Sequence, residues 1–125
     1  MVYVKSFRDL EVYRLAREVS KEIYIVSKEF PGEERYSLTD QVRRSSRSIG
    51  AQIAESWGKR KYGNHFISKL TDADSEQLET QHWIEVSEEC NYINSEISKS
   101  LLQKCESIGK MIQSMIDKSS AFCKK

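Results

Sequence analysis

Apolar residues recur every three or four positions along most of this chain, which is the spacing of one face of an α-helix. The first such segment covers about residues 6–30. Its apolar face consists of Val12, Ala16, Val19, Ile23, Val26 and Phe30. Ser6 and Asp9 have the spacing of a capping box at a helix start. Pro31 indicates the end, because proline disfavours helix at the residue before it.

A second segment, about residues 38–58, opens on another capping-box pattern, formed by Ser37 and Asp40. Its apolar face consists of Leu38, Val42, Ile49, Ile53 and Trp57, with Ser46 in one slot. Gly58 and Gly63 bracket a short basic stretch and indicate a break in the chain direction. The spacing therefore predicts a second helix that ends near Gly58.

Two more segments complete the pattern, over about residues 64–91 and 96–118. The inner face of the third is polar in places and comprises Phe66, Leu70, Ala73, Gln77, Ile84 and Asn91. The face of the fourth comprises Leu101, Cys105, Ile108, Ile112 and Met115. Residues 119–125 are expected to fray. Since no strand pattern is present, we predict an all-α fold: one domain, residues 1–125, folded as an antiparallel up-down four-helix bundle.

Charge is distributed unevenly, although the net charge of the 125 residues is only +1. Residues 1–63 carry 13 Lys and Arg against 9 Asp and Glu, whereas residues 64–125 carry 7 against 10. This asymmetry suits a basic surface that meets a polyanion. It equally suits a contact between the two halves of neighbouring subunits.

The sequence favours few enzyme classes. It contains no G-x-S-x-G elbow, P-loop or GxGxxG motif, so we expect no catalytic residues and no cofactor. The Glu79-x-x-His82 spacing occurs in di-iron bundles, but its required second copy is missing, so no metal site is predicted. Three cysteines without CxxC spacing indicate a reducing compartment. With neither a signal peptide nor a membrane-spanning run, a cytoplasmic protein is expected.

The most distinctive candidate site is basic. The solvent-facing side of the second helix carries Arg43, Arg44 and Arg47. Its end is followed by Lys59, Arg60 and Lys61. Planar guanidinium groups pair well with phosphate, which favours nucleic-acid binding. Neighbouring Trp57 and Tyr62 could stack an unpaired base.

An alternative is that these arginines pair with carboxylates of the third helix, in the same chain or in a second copy. The candidate acidic partners are Asp72, Asp74, Glu76 and Glu79. Trp83 is a candidate anchor of the subunit interface, because buried aromatic residues carry much of the binding energy of such contacts. An equal alternative places Trp83 in the core.

Several stretches resemble one bacterial family, the 23S rRNA-intervening sequence proteins. They are "FRDLEVYRLA", "KEFPGEERYSL", "SLTDQVRRSSRSIGAQIAES", "HFISKLTDADSEQLETQHWIE" and "IGKMIQSMI". This family usually has Asn-Ile-Ala-Glu-Gly where the present chain has Gln52-Ile53-Ala54-Glu55-Ser56. Ser56 replaces a glycine that would ease the helix end, and it precedes a bulky tryptophan. This departure therefore affects the position at which the second helix ends and not the fold.

The resemblance implies an up-down four-helix bundle and a ring-like homopentamer. It also implies an accessory role, since a similar bundle in diversity-generating retroelements binds nucleic acid and a reverse transcriptase. We therefore predict a non-enzymatic, self-associating interaction module whose partner is RNA or a nucleic-acid-processing protein. The alternative is a scaffold or accessory subunit that binds a protein and has no nucleic-acid role.

Overall fold

Four long helices form most of residues 4–123, the part of the chain that the computed structural model describes. They are α1 (Glu11–Ser27), α2 (Leu38–Gly58), α3 (Gly63–Glu89) and α4 (Ser95–Asp117). Two 3₁₀ turns, Phe7–Asp9 and Gly32–Glu34, precede α1 and α2, and a one-turn helix, α5 (Ser119–Phe122), follows α4. The described residues include no strand, so the predicted all-α class is confirmed.

The long helices pack in the order of the chain, and α1 closes the ring by packing on α4. Within residues 4–123, the diagonal pairs α1–α3 and α2–α4 make no close backbone contact. Because short connections join consecutive helices, neighbours run antiparallel. The predicted up-down four-helix bundle is confirmed.

The apolar faces of all four helices meet in one interior. The largest fully buried side chains include Ile23, Ile49, Ile53, Phe66, Leu70, Ile84, Ile108 and Ile112. The prediction for Asn91 was wrong, since this residue is exposed and lies beyond the end of α3. Its φ of 62° is the left-handed conformation that asparagine tolerates, and it turns the chain toward α4.

The first helix is shorter than the predicted range of residues 6–30. The capping box of Ser6 and Asp9 does form, but it caps the 3₁₀ turn and not an α-helix. Leu10 then adopts an extended backbone with ψ of 128°, so α1 begins only at Glu11. The capping signal was correct, but it could not show which kind of helix follows.

The capping box predicted at the start of α2 was wrong. The Ser37 side chain makes no capping bond to the backbone of α2. Instead, the Glu34 carboxylate accepts hydrogen bonds from Ser37 Oγ at 2.6 Å and from the Leu38 amide at 3.3 Å. The 3₁₀ turn brings this negative charge to the positive end of the helix dipole, where an anion is stabilising.

The prediction of a frayed end beyond Lys118 was wrong for residues 119–122. These residues form α5, and the Phe122 ring packs 5.8 Å from that of Phe66 and 6.3 Å from that of Trp57. Phe122 and Cys123 both pack against the core, so the end of this polar segment lies on the bundle. Residues 124–125 of the predicted tail lie outside the described residues.

A polar layer interrupts the interior between α3 and α4. Gln77 is 4% exposed; it donates to Asp74 Oδ1 at 2.9 Å and accepts from Gln81 at 2.7 Å. Gly109 of α4 lies opposite, and a Cβ there would come within 2.9 Å of Gln77 Nε2. A buried amide with satisfied partners costs little, so this layer is compatible with a stable core.

Two helical glycines, Gly109 in this layer and Gly50 on α2 facing α1, should respond differently to alanine. Gly50→Ala should stabilise the protein by about 0.5–1 kcal/mol, because alanine favours helix and its Cβ meets Tyr13 at an ordinary 3.6 Å. Gly109→Ala should destabilise it, because the new Cβ would displace the Gln77 amide from its position beside Asp74. Urea denaturation followed by circular dichroism measures both. Equal stabilisation by the two variants would show that Gln77 moves freely.

Candidate functional site

A cleft of about 810 Å³ lies between α1, α2 and the loop that joins them. Five cationic side chains line it, namely Lys28, Arg35, Arg43, Arg44 and Arg47. Asp40 is the single carboxylate in its lining within residues 4–123. The cleft is therefore strongly cationic.

Tyr24 lines this cationic cleft, and three cationic side chains lie around its ring. The ammonium of Lys28 and the guanidinium of Arg43 each lie 4.8 Å from the centroid of its ring, and the guanidinium of Arg47 lies 5.6 Å away. Lys28 follows Tyr24 by four residues on α1, and the two arginines are four residues apart on α2. Since i and i+4 positions share a helix face, the antiparallel pair brings these side chains together.

Hydrogen bonds through Ser27 of α1 hold the Arg43 side chain in place. Its Nε donates to Ser27 Oγ at 2.7 Å, and the Ser27 hydroxyl in turn donates to the carbonyl of Tyr24 at 3.1 Å. Within residues 4–123, no carboxylate oxygen lies within 4.0 Å of the side-chain nitrogen atoms of Arg43 or Arg47. Two guanidinium groups are thus oriented toward the cleft without a neutralising anion.

Arg44, unlike Arg43 and Arg47, lies close to a carboxylate of its own chain. Its Nη2 donates to Gln41 Oε1 at 2.7 Å and lies 3.7 Å from Glu79 Oε2 on α3. The alternative prediction, pairing with an acidic residue of α3, thus describes Arg44 within one chain. Both charged groups are substantially exposed, so the ion pair contributes little to stability.

The second predicted basic group, Lys59–Lys61, is separated from the first. Lys59 follows Arg47 by twelve positions, which is about 18 Å along the helix axis. The Arg60 guanidinium lies 3.7 Å from the Trp57 ring centroid, and its Nε donates to the Trp57 carbonyl at 2.8 Å. The Phe122 ring packs edge-on against this indole, with the two ring centroids 6.3 Å apart, and base stacking on Trp57 or Tyr62 stays a prediction.

The predicted acidic candidates all lie on α3, and the carboxylates of three of them contact their own chain. Asp72 lies 3.9 Å from Lys69, and Asp74 accepts from Gln77. Glu79 accepts from the half-buried Trp83 indole at 3.0 Å. Burial raises the pKa of Glu76, and the Glu79 carboxylate adds to this shift. A role for these residues and Trp83 at a subunit interface stays a prediction.

The continuation of the basic surface was missed by sequence reasoning. A second depression, of about 530 Å³, adjoins the cationic cleft and shares Tyr24 and Arg47 with it. Its other cations come from α1: Arg14, Arg17 and Lys21. The spacing of Arg17, Lys21 and Lys28 along α1 was the available signal, but it becomes meaningful only once α2 is known to pack beside it.

Two comparisons with known proteins bear on this bundle. The family model of the 23S rRNA-intervening sequence proteins matches residues 8–114. The chain belongs to this family. A crystal structure at 1.70 Å of a protein of unknown function from Bacteroides thetaiotaomicron, from the S23 ribosomal protein family, is similar at 30% identity and a TM-score of 0.75. The match covers 84% of this chain and 97% of that one.

No curated protein matches the chain. Since the structural relative has no known function, the likeness supports the bundle and assigns no activity. The family's usual glycine is Ser56 here; it is buried and its hydroxyl donates to the Ile53 carbonyl at 2.6 Å. The helix continues past it, because α2 ends at Gly58.

In this 23S rRNA-intervening sequence protein, Glu34 ties two loops together at one end of the bundle. Besides capping α2, its Oε2 accepts from the Tyr92 hydroxyl at 2.9 Å. The hydrogen bond from Ser37, then that from Tyr92, lowers the pKa of Glu34 below its ordinary value. The same bond to Glu34 raises the pKa of Tyr92 to about 12. Glu34 thereby holds the loop that places Arg35 in the cationic cleft.

Glu34 should contribute to stability in a pH-dependent way. Because its folded-state pKa is lowered, the contribution is present above the ordinary value of 4.5 and is lost as pH falls through the folded value. Glu34→Gln should lower the melting temperature at neutral pH, and the difference from wild type should shrink below pH 4.5. Glu33→Gln, which alters the adjacent exposed carboxylate, should change little. A difference that persists unchanged in acid would contradict this role.

Other chemistry finds little support in the described residues. Within residues 4–123, no three His, Cys, Asp or Glu side chains are grouped so as to hold a metal ion. Cys105 is fully buried, and this burial raises its pKa to about 12. None of the described helices combines the length and apolar character needed to cross a membrane.

Proposed function

We propose that this protein is a non-enzymatic interaction module that binds RNA or another nucleic acid through the cationic cleft between α1 and α2. The observation that carries the proposal is the pair of guanidinium groups of Arg43 and Arg47, gathered over Tyr24 without a carboxylate partner within residues 4–123. An arginine that is held in place but not neutralised is suited to a phosphate, which it can bind through paired donors.

The mechanism would be electrostatic positioning along a sugar-phosphate backbone. Lys28 and Arg35 widen the contact at the loop end, and Arg17 and Lys21 extend it along α1. Contacts of this kind release counterions and read no base sequence. The net charge of +1 does not oppose this role, because the cations are concentrated on one surface.

A competing function is self-assembly, in which the cationic cleft receives the acidic α3 of a second copy. The charge of α3 favours this reading, since seven Asp and Glu residues accompany a single lysine over Gly63–Glu89. The ring-like homopentamer implied by the family resemblance would bring such surfaces together. A scaffold of this kind would bind a protein partner and have no nucleic-acid role.

Filter binding of structured and unstructured RNA over a series of salt concentrations tests the proposal. If four cationic side chains contact phosphates, the logarithm of affinity should fall against the logarithm of salt with a slope of about −3 to −4. Absence of binding in low salt would remove the nucleic-acid function. Light scattering on the Arg43→Ala, Arg44→Ala, Arg47→Ala triple variant tests the competing function, which requires the assembly to dissociate.

A further inference from the structure

We infer that the cationic cleft takes a single strand of RNA and stacks an unpaired base on Tyr24. This inference rests on the proposed function and names the form of nucleic acid that the site accepts. It concerns the Tyr24 ring and not the surrounding cations, to which any polyanion could bind.

The first support is the exposure of Tyr24 itself. Tyr24 is 40% exposed, although a polar residue would keep this helix face equally soluble, so its aromatic ring is available to a ligand. Lys28, Arg43 and Arg47 surround the ring at 4.8–5.6 Å from its centroid. An aromatic ring next to guanidinium planes is the arrangement on which unpaired bases stack in single-strand-binding proteins.

The second support is the size of the site. The cleft has a volume of about 810 Å³, which is within the range of small-molecule pockets, so a nucleotide fits in it. A base inside a duplex is also stacked on both sides, so it cannot reach Tyr24 unless the helix opens.

The third support distinguishes a strand from a free nucleotide. The second depression, of about 530 Å³, adjoins the cleft through Tyr24 and Arg47. It contributes Arg14, Arg17 and Lys21, and Glu18 is the single carboxylate in its lining among the described residues. Glu18 lies 3.3 Å from Lys104 of α4, and this lysine also lies 2.6 Å from Glu22, so it offsets only part of the Glu18 charge. The cations therefore form a continuous track on either side of Tyr24, as a backbone of several phosphates requires.

The test compares fluorescence anisotropy titrations of the full chain with three probes: oligouridylate, an RNA duplex of equal length and inorganic polyphosphate of similar charge. We expect oligouridylate to bind about tenfold tighter than either competitor, which is the effect of stacking one base. Tyr24→Leu should abolish this ratio, and Tyr24→Phe should retain it. Tyr36→Leu is the matched control, because Tyr36 is 85% exposed and lies outside the cleft lining.

The outcomes separate this inference from the proposed function. Equal binding of oligouridylate and polyphosphate, unchanged in Tyr24→Leu, would overturn the stacking role and leave a phosphate-binding surface. Tighter binding of the duplex would overturn the single-strand preference. If uridine monophosphate displaces oligouridylate at equal nucleotide concentration, the ligand of the cleft is a free nucleotide and the proposal of an RNA strand is overturned. Failure of every probe to bind in low salt would instead remove the proposed function itself. Circular dichroism melts confirm that the variants fold.

Discussion

Replacing Arg43 and Arg47 together by alanine is expected to lower the affinity for RNA about 100-fold in low salt. Each guanidinium would lose a charge-assisted contact with phosphate, and neither has a carboxylate partner in the described residues that could be set free in its place. The salt slope should also become shallower by about 1.5, because two fewer counterions are released. The fold should persist, since Ser27 Oγ keeps its bond to the Tyr24 carbonyl when Arg43 is removed.

The matched control removes the same amount of charge from the opposite side of the bundle. Lys99 and Lys110 are exposed on α4, which makes no close backbone contact with α2. Their replacement by alanine should weaken binding less than threefold, through the change in overall charge alone. If both double variants lose affinity equally, binding depends on net charge and the cationic cleft is not a site.

Phe66→Ala should destabilise the protein by about 3–5 kcal/mol, which is a large part of the stability of a small domain. Phe66 is fully buried at the start of α3, and its ring stacks 5.8 Å from that of Phe122. Removing it leaves a cavity and deprives α5 of its main aromatic contact. The fluorescence of Trp57, whose ring lies 6.3 Å from that of Phe122, should therefore change in the folded variant.

A control on the same helix isolates the effect of burial. Leu78 is 55% exposed, so Leu78→Ala should change the free energy of unfolding by no more than about 0.5 kcal/mol. Urea denaturation, followed by both circular dichroism and Trp fluorescence, measures the two variants. A loss below about 1 kcal/mol for Phe66→Ala would mean that the interior around α5 is not packed as described.

Prediction from the sequence succeeded where local periodicity carries the information. Ile49 and Ile53 were placed in the core by their spacing alone, and both are fully buried. The start of α2 was predicted less well. Ser37 has a residue type that is typical of the N-cap, but the Glu34 carboxylate accepts the hydrogen bond from the Leu38 amide at the helix start. The capping-box pattern compares only the residue before the helix with the third helical residue, so it does not include the turn that precedes them.

The candidate site was predicted in part. Arg43 and Arg47 were identified from their residue type and spacing, and the structure places both at one cleft. Lys59–Lys61 are close to them in the sequence but about 18 Å away along the helix axis. The residues that share the cleft with Arg43 and Arg47 include Lys28 and Tyr24, which are distant from them in sequence.

The sequence by itself determined that the chain forms four amphipathic helices with breaks at Pro31 and between Gly58 and Gly63. Helical periodicity and the backbone limits of proline and glycine act within a few residues, so they can be read without a structure. Only the tertiary structure decided which charges share a surface. That depends on the neighbour of each helix and on its rotation, and the side chains of both helices set these jointly when their apolar faces pack.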